Sequence, residues 1–500
     1  MSVMAASCTR PRKSYQKIKP SIEHPYLIEV QKKSYGQFLQ LDVDSDKRED
    51  VGLQAVFNSI FPIQDFAGAA SLEFVSYSFD KPKYSEEECR QRGMSFAAPL
   101  KVVVRLVLWD TENEGAEKTI KDVKEQEVYF GEMPLMTESG TFVINGTERV
   151  VVSQLHRSSG VFFDHDKGKT VGGGKLLFTA RVIPYRGSWL DFEFDSKDIL
   201  HVRIDRRRKM HVSILLKALG YSTEELLKYF YKTEEVKIEG NKVVLALDYA
   251  RIRGQRSEFD IHDPASGEIV AKKGRRISMG VVKRLKEFGI ESHTVELDYL
   301  LGKVISADIM SGEEIIIPTN TQLEEAHLEE IRANGIESLE LLCIDGVDAD
   351  SSFRNTLLTD KIETSEEALV EVYKRLRPGD PPSIEQAKVL FENLFFNVDR
   401  YDLSVVGRHK LNQRTGSNEP IENRVLTKND IMLVVRYLLK LKVGQGFVDD
   451  IDHLGNRRVR AVGELLENQY RIGLLRIERV VKERLQLQDI ETLLPHDFIN

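Results

Sequence analysis

Apolar residues recur at steps of three or four in the last part of the chain, where Val462, Leu466, Tyr470, Leu474, Ile477, Val481 and Leu485 form one stripe. Arg471, Arg476, Arg479, Lys482 and Arg484 lie off it, so the pattern predicts a long amphipathic helix with one packing face and one basic face. A shorter helical pattern (Leu27, Val30, Tyr35, Phe38, Leu39) precedes alternation through Leu100-Lys101-Val102-Val103-Val104-Arg105-Leu106-Val107-Leu108, the period of a strand. Strands are also expected over 176–208, in Trp189-Leu190-Asp191-Phe192-Glu193-Phe194-Asp195 and His201-Val202-Arg203-Ile204. A helix over Val212 to Leu219 follows, with Gly220 just beyond it. Helices dominate 364–442, with breaks at Arg377-Pro378-Gly379-Asp380-Pro381-Pro382 and from Asn412 to Glu419. The fold class is therefore α+β, with too long a chain for one core.

A repeat organises the middle. Ser266-Gly267-Glu268-Ile269-Val270 with Gly289-Ile290-Glu291-Ser292 returns as Ser311-Gly312-Glu313-Glu314-Ile315 with Gly335-Ile336-Glu337-Ser338, shifted by 45 and 46 residues. Helical patterns (Val281, Val282, Leu285; Leu323, Leu328, Ile331) lie between the motifs, which predicts a strand-helix-strand module present twice. Two copies are too few for a solenoid, so 232–345 reads as an inserted, internally duplicated small α/β module.

Charge and cysteine narrow the class of protein. Asp and Glu number 79 against 71 Lys and Arg, a net charge of -8, so any contact with a polyanion must be local. Cys8, Cys89 and Cys343 are too few and too scattered for a disulfide framework or a Cys-x-x-Cys zinc site. Residues 1–25, with Arg10, Arg12, Lys13, Lys17 and Lys19 and no apolar run, read as a flexible basic lead-in, neither signal peptide nor membrane span. A cytoplasmic setting is expected, where Asn145-Gly146-Thr147 is not glycosylated. The ending Pro495-His496-Asp497-Phe498-Ile499-Asn500, behind a long helix, suggests a chain cut within a larger protein.

Several groups carry candidate chemistry, each with a plainer reading. Asp191, Glu193 and Asp195 would share a strand face suited to Mg²⁺, although alternation alone makes a solvated acidic face. Asp449-Asp450-Ile451-Asp452 is similar. Arg206-Arg207-Arg208-Lys209, Lys272-Lys273-Gly274-Arg275-Arg276 and Arg457-Arg458-Val459-Arg460 are phosphate contacts or merely solvated surface. Val171-Gly172-Gly173-Gly174-Lys175 lacks P-loop spacing, and Ser158 near His156 lacks the context of a nucleophile. Asn145-Gly146 between apolar runs predicts a type I′ hairpin.

The segments from Lys124-Glu125-Gln126-Glu127-Val128-Tyr129 through Gly140-Thr141-Phe142-Val143-Ile144-Asn145-Gly146-Thr147-Glu148-Arg149-Val150 resemble the β subunit of bacterial DNA-directed RNA polymerase. So do Ile183-Pro184-Tyr185-Arg186-Gly187-Ser188-Trp189-Leu190-Asp191-Phe192-Glu193, Arg400-Tyr401-Asp402-Leu403-Ser404 and Asp450-Ile451-Asp452-His453-Leu454-Gly455-Asn456-Arg457-Arg458, in the family's order from about residue 25 onward.

This resemblance implies the amino-terminal portion of the subunit: a protrusion (26–149 plus 457–500), a lobe (150–231 plus 346–456) and a lineage-specific insertion of proteobacterial type (232–345). It implies that Arg157, Trp189, Asp452 and Arg457 form a pocket for a non-template base, that Lys169, Arg206 and Arg460 line the same DNA cleft, and that Val152, on the return strand of the hairpin, borders an inhibitor pocket. Ser159 stands where the family usually has Pro, which frees the backbone of Ser158. The implied partners are DNA, the α dimer, β′, ω and a σ factor, near the nucleoid. Mg²⁺ would be held by an Asp-Phe-Asp-Gly-Asp loop of β′ and no cofactor by this portion, which alone would be inactive. Two rivals follow from the residues: an autonomous Mg²⁺-dependent nuclease or phosphotransferase built on Asp191, Glu193 and Asp195, and a purely protein-binding role for the insertion.

Overall fold

The computed structural model describes Tyr15, Lys17 and residues 25–499, apart from 66–67, 69, 111–118, 172–173, 248, 253, 255, 258, 263–268, 291, 312–313, 347 and 488–493. Most of the basic lead-in, Cys8, Ser266-Gly267-Glu268, Glu291, Gly312-Glu313 and Gly172-Gly173 thus lie outside the described residues. The chain forms two compact units, 1–156 with 458–500, and 157–457.

In the first unit an antiparallel sheet runs in the order Ile63–Gln64, Ala70–Phe79, Ala97–Asp110, Thr119–Pro134. Alternation at Leu100, Val102, Val104, Leu106 and Leu108 turns five side chains into one core, as expected of a strand with one covered face. The same core takes Tyr35, Phe38 and Leu39 from the Glu29–Leu39 helix, and Val462, Leu474, Val481 and Leu485 from the Val462–Leu487 helix. The long stripe is confirmed. The basic face is not: Glu464, Glu467, Glu478 and Glu483 share the helix, and Glu467 and Glu478 pair with Arg471 and Lys482 four residues on.

Asn145 and Gly146 both have positive φ, 48° and 73°, and join Phe142–Ile144 to Thr147–Arg149 as the predicted hairpin. A Cβ on Gly146 would stand 2.7 Å from the Gly93 Cα, so close approach also demands glycine. Val152 is not on the return strand, which ends at Arg149. Its partner would have to lie before Phe142, where Thr137 to Thr141 fold into a turn closed by their own hydroxyls. Val152 is 72% exposed.

The second unit contains a five-stranded antiparallel sheet in the order Met210–His211, Leu200–Ile204, Leu190–Phe194, Phe178–Ile183, Gly160–His165. Helices pack on it, among them Val212–Ala218, Ser365–Leu376, Ile384–Phe395, Ser404–Thr415 and Lys428–Lys442. The expected break from Asn412 starts later, because the helix continues to Thr415 and stops where Gly416 turns left-handed at φ 75°. Arg408 on this helix is wholly buried. It donates to Asp430 at 2.7 Å, to the Asn423 carbonyl at 2.7 Å and to the Val425 carbonyl. Asp430 also caps its own helix, accepting the Thr427 N–H at 2.9 Å.

The inserted segment has a sheet ordered Ser292–Glu296, Lys242–Ala246, Thr233–Glu239, Ser338–Leu342. A central hairpin is flanked on each side by the last strand of one repeat. Each copy runs from a small hairpin through a helix (Met279–Glu287; Glu325–Ala333) to that outer strand, as the repeat predicted, with antiparallel pairing throughout.

Removing one member of a buried, bonded ion pair strands the other, so Arg408→Met should destabilise the second unit by about 3–5 kcal/mol, while Arg408→Met with Asp430→Leu recovers only part of the loss, because the Asn423 and Val425 carbonyls and the Thr427 N–H lose their partners. Urea unfolding followed by Trp189 fluorescence in a Trp109→Phe background measures both. His201 has its pKa lowered, first by burial and then by Lys209 and His211. Its contribution is therefore complete above the unfolded pKa of about 6.5 and is lost as pH falls below it. The same measurement should show a shallower acid decline for His201→Asn.

Candidate nucleic-acid interface

Three segments far apart in sequence meet along the first two turns of the Ser404–Thr415 helix and the residues just before it, all within the second unit. In the first, the Ser159 hydroxyl lies 2.9 Å from that of Ser404, and a Cβ on Gly407 would come within 2.8 Å of it. The second is tied by the Arg186 and Asp402 backbones, which exchange hydrogen bonds of 3.0 and 2.7 Å. Beside it Gly187, at φ 127°, lies so near Tyr401 that a Cβ would stand 2.6 Å from the ring. In the third, Lys410 donates to the Gly455 carbonyl at 2.8 Å. The Asp449 carboxylate and N–H both bond the Phe163 backbone at 2.8 Å. The Ser158 N–H reaches the Asn456 carbonyl at 3.0 Å, so Arg157 and Arg457 flank one backbone bond. Ser159, far from loosening this loop, is buried and held by the hydroxyl contact that a Pro could not make.

On this frame sits a half-buried indole. Trp189 is oriented by its backbone N–H, which donates to Asp205 at 2.7 Å, and the Arg206 and Arg181 guanidiniums lie 5.0 and 5.9 Å from its ring centre. Arg181 is clamped by Asp191 across the sheet, and Arg203 by Glu193 at 2.7 Å. A cavity of about 210 Å³ opens between these side chains, with Arg206 at its wall. Arg157 lies in the field of Arg181, Asp164, Asp452 and Asp191; burial first, then Arg181, lowers its pKa. An aromatic face bordered by fixed cations suits a stacked base and its phosphates.

The acidic strand face does not assemble as a metal site. Asp191 and Glu193 are held by guanidiniums, and Asp195 lies past the strand end, accepting the Lys197 and Ile199 N–H groups at 2.9 and 2.8 Å. Among the described residues no cluster of three His, Cys, Asp or Glu is placed to hold a metal ion.

Residues 151–256 and 332–460 match RNA polymerase Rpb2, domain 2, the break falling inside the inserted segment. The whole chain is 55% identical to the DNA-directed RNA polymerase subunit beta of Sorangium cellulosum, covering 37% of that protein. Over 98% of its length it is 58% identical to the subunit of Geotalea daltonii and 56% identical to that of an Anaeromyxobacter species, covering 36% of each. The chain belongs to the bacterial RNA polymerase β-subunit family. It spans little more than a third of the length of these β subunits.

Of the residues singled out by resemblance to the β family, Arg157, Trp189, Arg206, Asp452 and Arg457 lie on the three converging segments or against the indole. Lys169 is exposed in a separate turn, whose Asp166 accepts the Gly168, Thr170 and Leu177 N–H groups and has its pKa held far below the carboxylate range by those bonds. Val152 and Arg460 belong to the first unit, where Arg460 pairs with Glu464 at 3.2 Å. Sequence reading missed Arg181 and Arg203, whose only signal was a basic residue facing an acidic one in adjacent alternating strands.

Gly187→Ala must strain the backbone and push Tyr401 away, costing about 2 kcal/mol or more and displacing Trp189. Iodide quenching of Trp189 fluorescence in the Trp109→Phe background should rise; unchanged quenching contradicts the clamp between Gly187 and Tyr401.

Proposed function

We propose that this chain is the amino-terminal portion of a β subunit, forming one wall of the DNA cleft in an RNA polymerase assembled from the α dimer, β, β′, ω and a σ factor. The assembled enzyme would make RNA on a DNA template in the cytoplasm, near the nucleoid. The observation that supports it best is the Trp189 ring lying within 6 Å of Arg206 and Arg181, on the same converging segments as Arg157 and Asp452. In this reading the indole stacks on a flipped non-template base, exposed Asp452 accepts from its edge, and Arg157, Arg206 and Arg457 neutralise flanking phosphates of the strand and the downstream duplex. In the same reading Lys169 of the second unit and Arg460 of the first each add a phosphate contact, and exposed Val152 borders an inhibitor pocket of the assembled enzyme.

In this reading Mg²⁺ is held by the β′ subunit and this portion alone is inactive; the carboxylates of the acidic strand face here are spent on guanidiniums and backbone N–H groups. The autonomous nuclease reading loses its ligand set for the same reason. None of the described helices is long and apolar enough to cross a membrane.

In the assembled enzyme, Trp189→Ala and Asp452→Ala should each shorten promoter-complex lifetimes by about tenfold on the preferred non-template base and far less on the others, in keeping with about 1–3 kcal/mol for a single stacked or edge-bonded base. Competitor-challenge lifetimes on templates varying that base check this, and equal effects on all bases would sink the pocket assignment.

A further inference from the structure

The two copies in the inserted segment share a fold and differ in charge. Their helices pack by equivalent positions 46 residues apart, Val282 and Leu285 in one copy, Leu328 and Ile331 in the other. Around the first lie Lys272, Lys273, Arg275 and Arg276 in the turn before the helix, then Lys283, Arg284 and Lys286 on it, with no Asp or Glu between 272 and 286. The equivalent stretch 318–332 carries Glu324, Glu325, Glu329 and Glu330 with Arg332 as its one cation. Since the acidic copy folds the same way, the cations are not there for the fold. They are all exposed, on elements held by one small core of Leu247, Ile261, Ala271, Leu285 and Ile290.

Crowded like charges repel; among the described residues the carboxylates at hand are Asp260, which accepts the Lys273 N–H at 2.6 Å, and Glu287 at the end of the helix. Arg276 donates to the Gly254 carbonyl and Lys286 lies 5.4 Å from the Tyr249 ring. Among the described residues, no carboxylate forms an ion pair with Lys272, Lys273, Arg275, Lys283 or Arg284. In a chain of net charge -8, such a patch is complementary to an external polyanion. Its aromatic neighbours are exposed Phe288 and Tyr249, the ring of which lies 5.4 Å from Lys286, too few to stack successive bases of a single strand, so the patch fits the phosphate backbone of a duplex.

We propose that the first repeat of the insertion is a separate, sequence-independent docking surface for duplex DNA. It is independent of Trp189 and of base identity. The test is fluorescence anisotropy of the full chain with an arbitrary duplex of about 30 base pairs across a salt series. Replacing Lys272, Lys273, Arg275, Lys283 and Arg284 by Gln should weaken low-salt binding by about tenfold or more and flatten the log–log salt slope by about 0.9 for each phosphate no longer neutralised. The pairs Lys272→Gln with Lys273→Gln, and Lys283→Gln with Arg284→Gln, should each give part of the loss, so that misfolding of the fivefold variant leaves the question answerable. Gln at Glu324, Glu325, Glu329 and Glu330 should leave the slope unchanged. An unaltered slope in the basic variants overturns the proposal. Polyglutamate competing as well as DNA, the mark of an acidic protein partner, also overturns it.

Discussion

The second unit depends on the Arg408–Asp430 pair. Two opposite charges out of contact with water are costly, and their attraction offsets that cost only when every remaining donor and acceptor is met. Here they are met: the guanidinium reaches Asp430 and two carbonyls, while the carboxylate closes the cap of its own helix. The arrangement tolerates one geometry. It therefore fixes where the Ser404–Thr415 helix lies against the 417–427 loop and the next helix, and the 157–160, 186–189 and 449–457 segments are tied to that helix or to the residues just before it. Arg424, bonded to both Asp402 carboxylate oxygens, repeats the fastening on the outer side.

Rigidity of this kind matters more than affinity of single contacts. A base-stacking ring must be held before the base arrives, or the cost of ordering it is subtracted from binding. Trp189 is oriented through its backbone by Asp205 and by the Gly187–Tyr401 approach, which fix the strand end that carries the half-buried ring. Preorganisation thus starts in a buried ion pair and ends at a half-exposed indole.

What could be read from sequence was what is local. The 462–485 stripe, the Asn145–Gly146 turn, the strand alternation around Leu100 and Phe192, and the duplicated module each repeat within a few residues or copy themselves at a fixed shift. Trp189, Arg206, Arg157 and Asp452 came from resemblance, because nothing in their spacing announces a common site. Arg408 was invisible: in Gly407-Arg408-His409-Lys410 it looks like solvated surface. The helix that carries it presents no apolar stripe, since its buried positions are Gly407, Arg408 and Leu411 while Val405 and Val406 are exposed. Arg181 was missed for a related reason, since its role follows from strand register, which pairs it with Asp191 ten residues away. The basic face expected of the last helix failed because only its cations were weighed, not the glutamates interleaved with them.

The carboxylates of the second unit divide their labour. Asp191 and Glu193, inside the sheet, neutralise Arg181 and Arg203 and hold them flat beside the cavity. Asp205 and Asp195 organise turns through backbone N–H groups. Asp452 differs: it is exposed, only its backbone N–H is anchored, to Asp450 at 3.0 Å, and Arg157 lies in its field. A carboxylate locked to a guanidinium has few lone pairs left for a ligand, whereas one in an open loop keeps them. In the proposed cleft, an exposed acid beside the arginines weakens the general attraction for a polyanion. Under that proposal it recovers the loss by accepting a hydrogen bond from a base edge, which converts nonspecific affinity into discrimination.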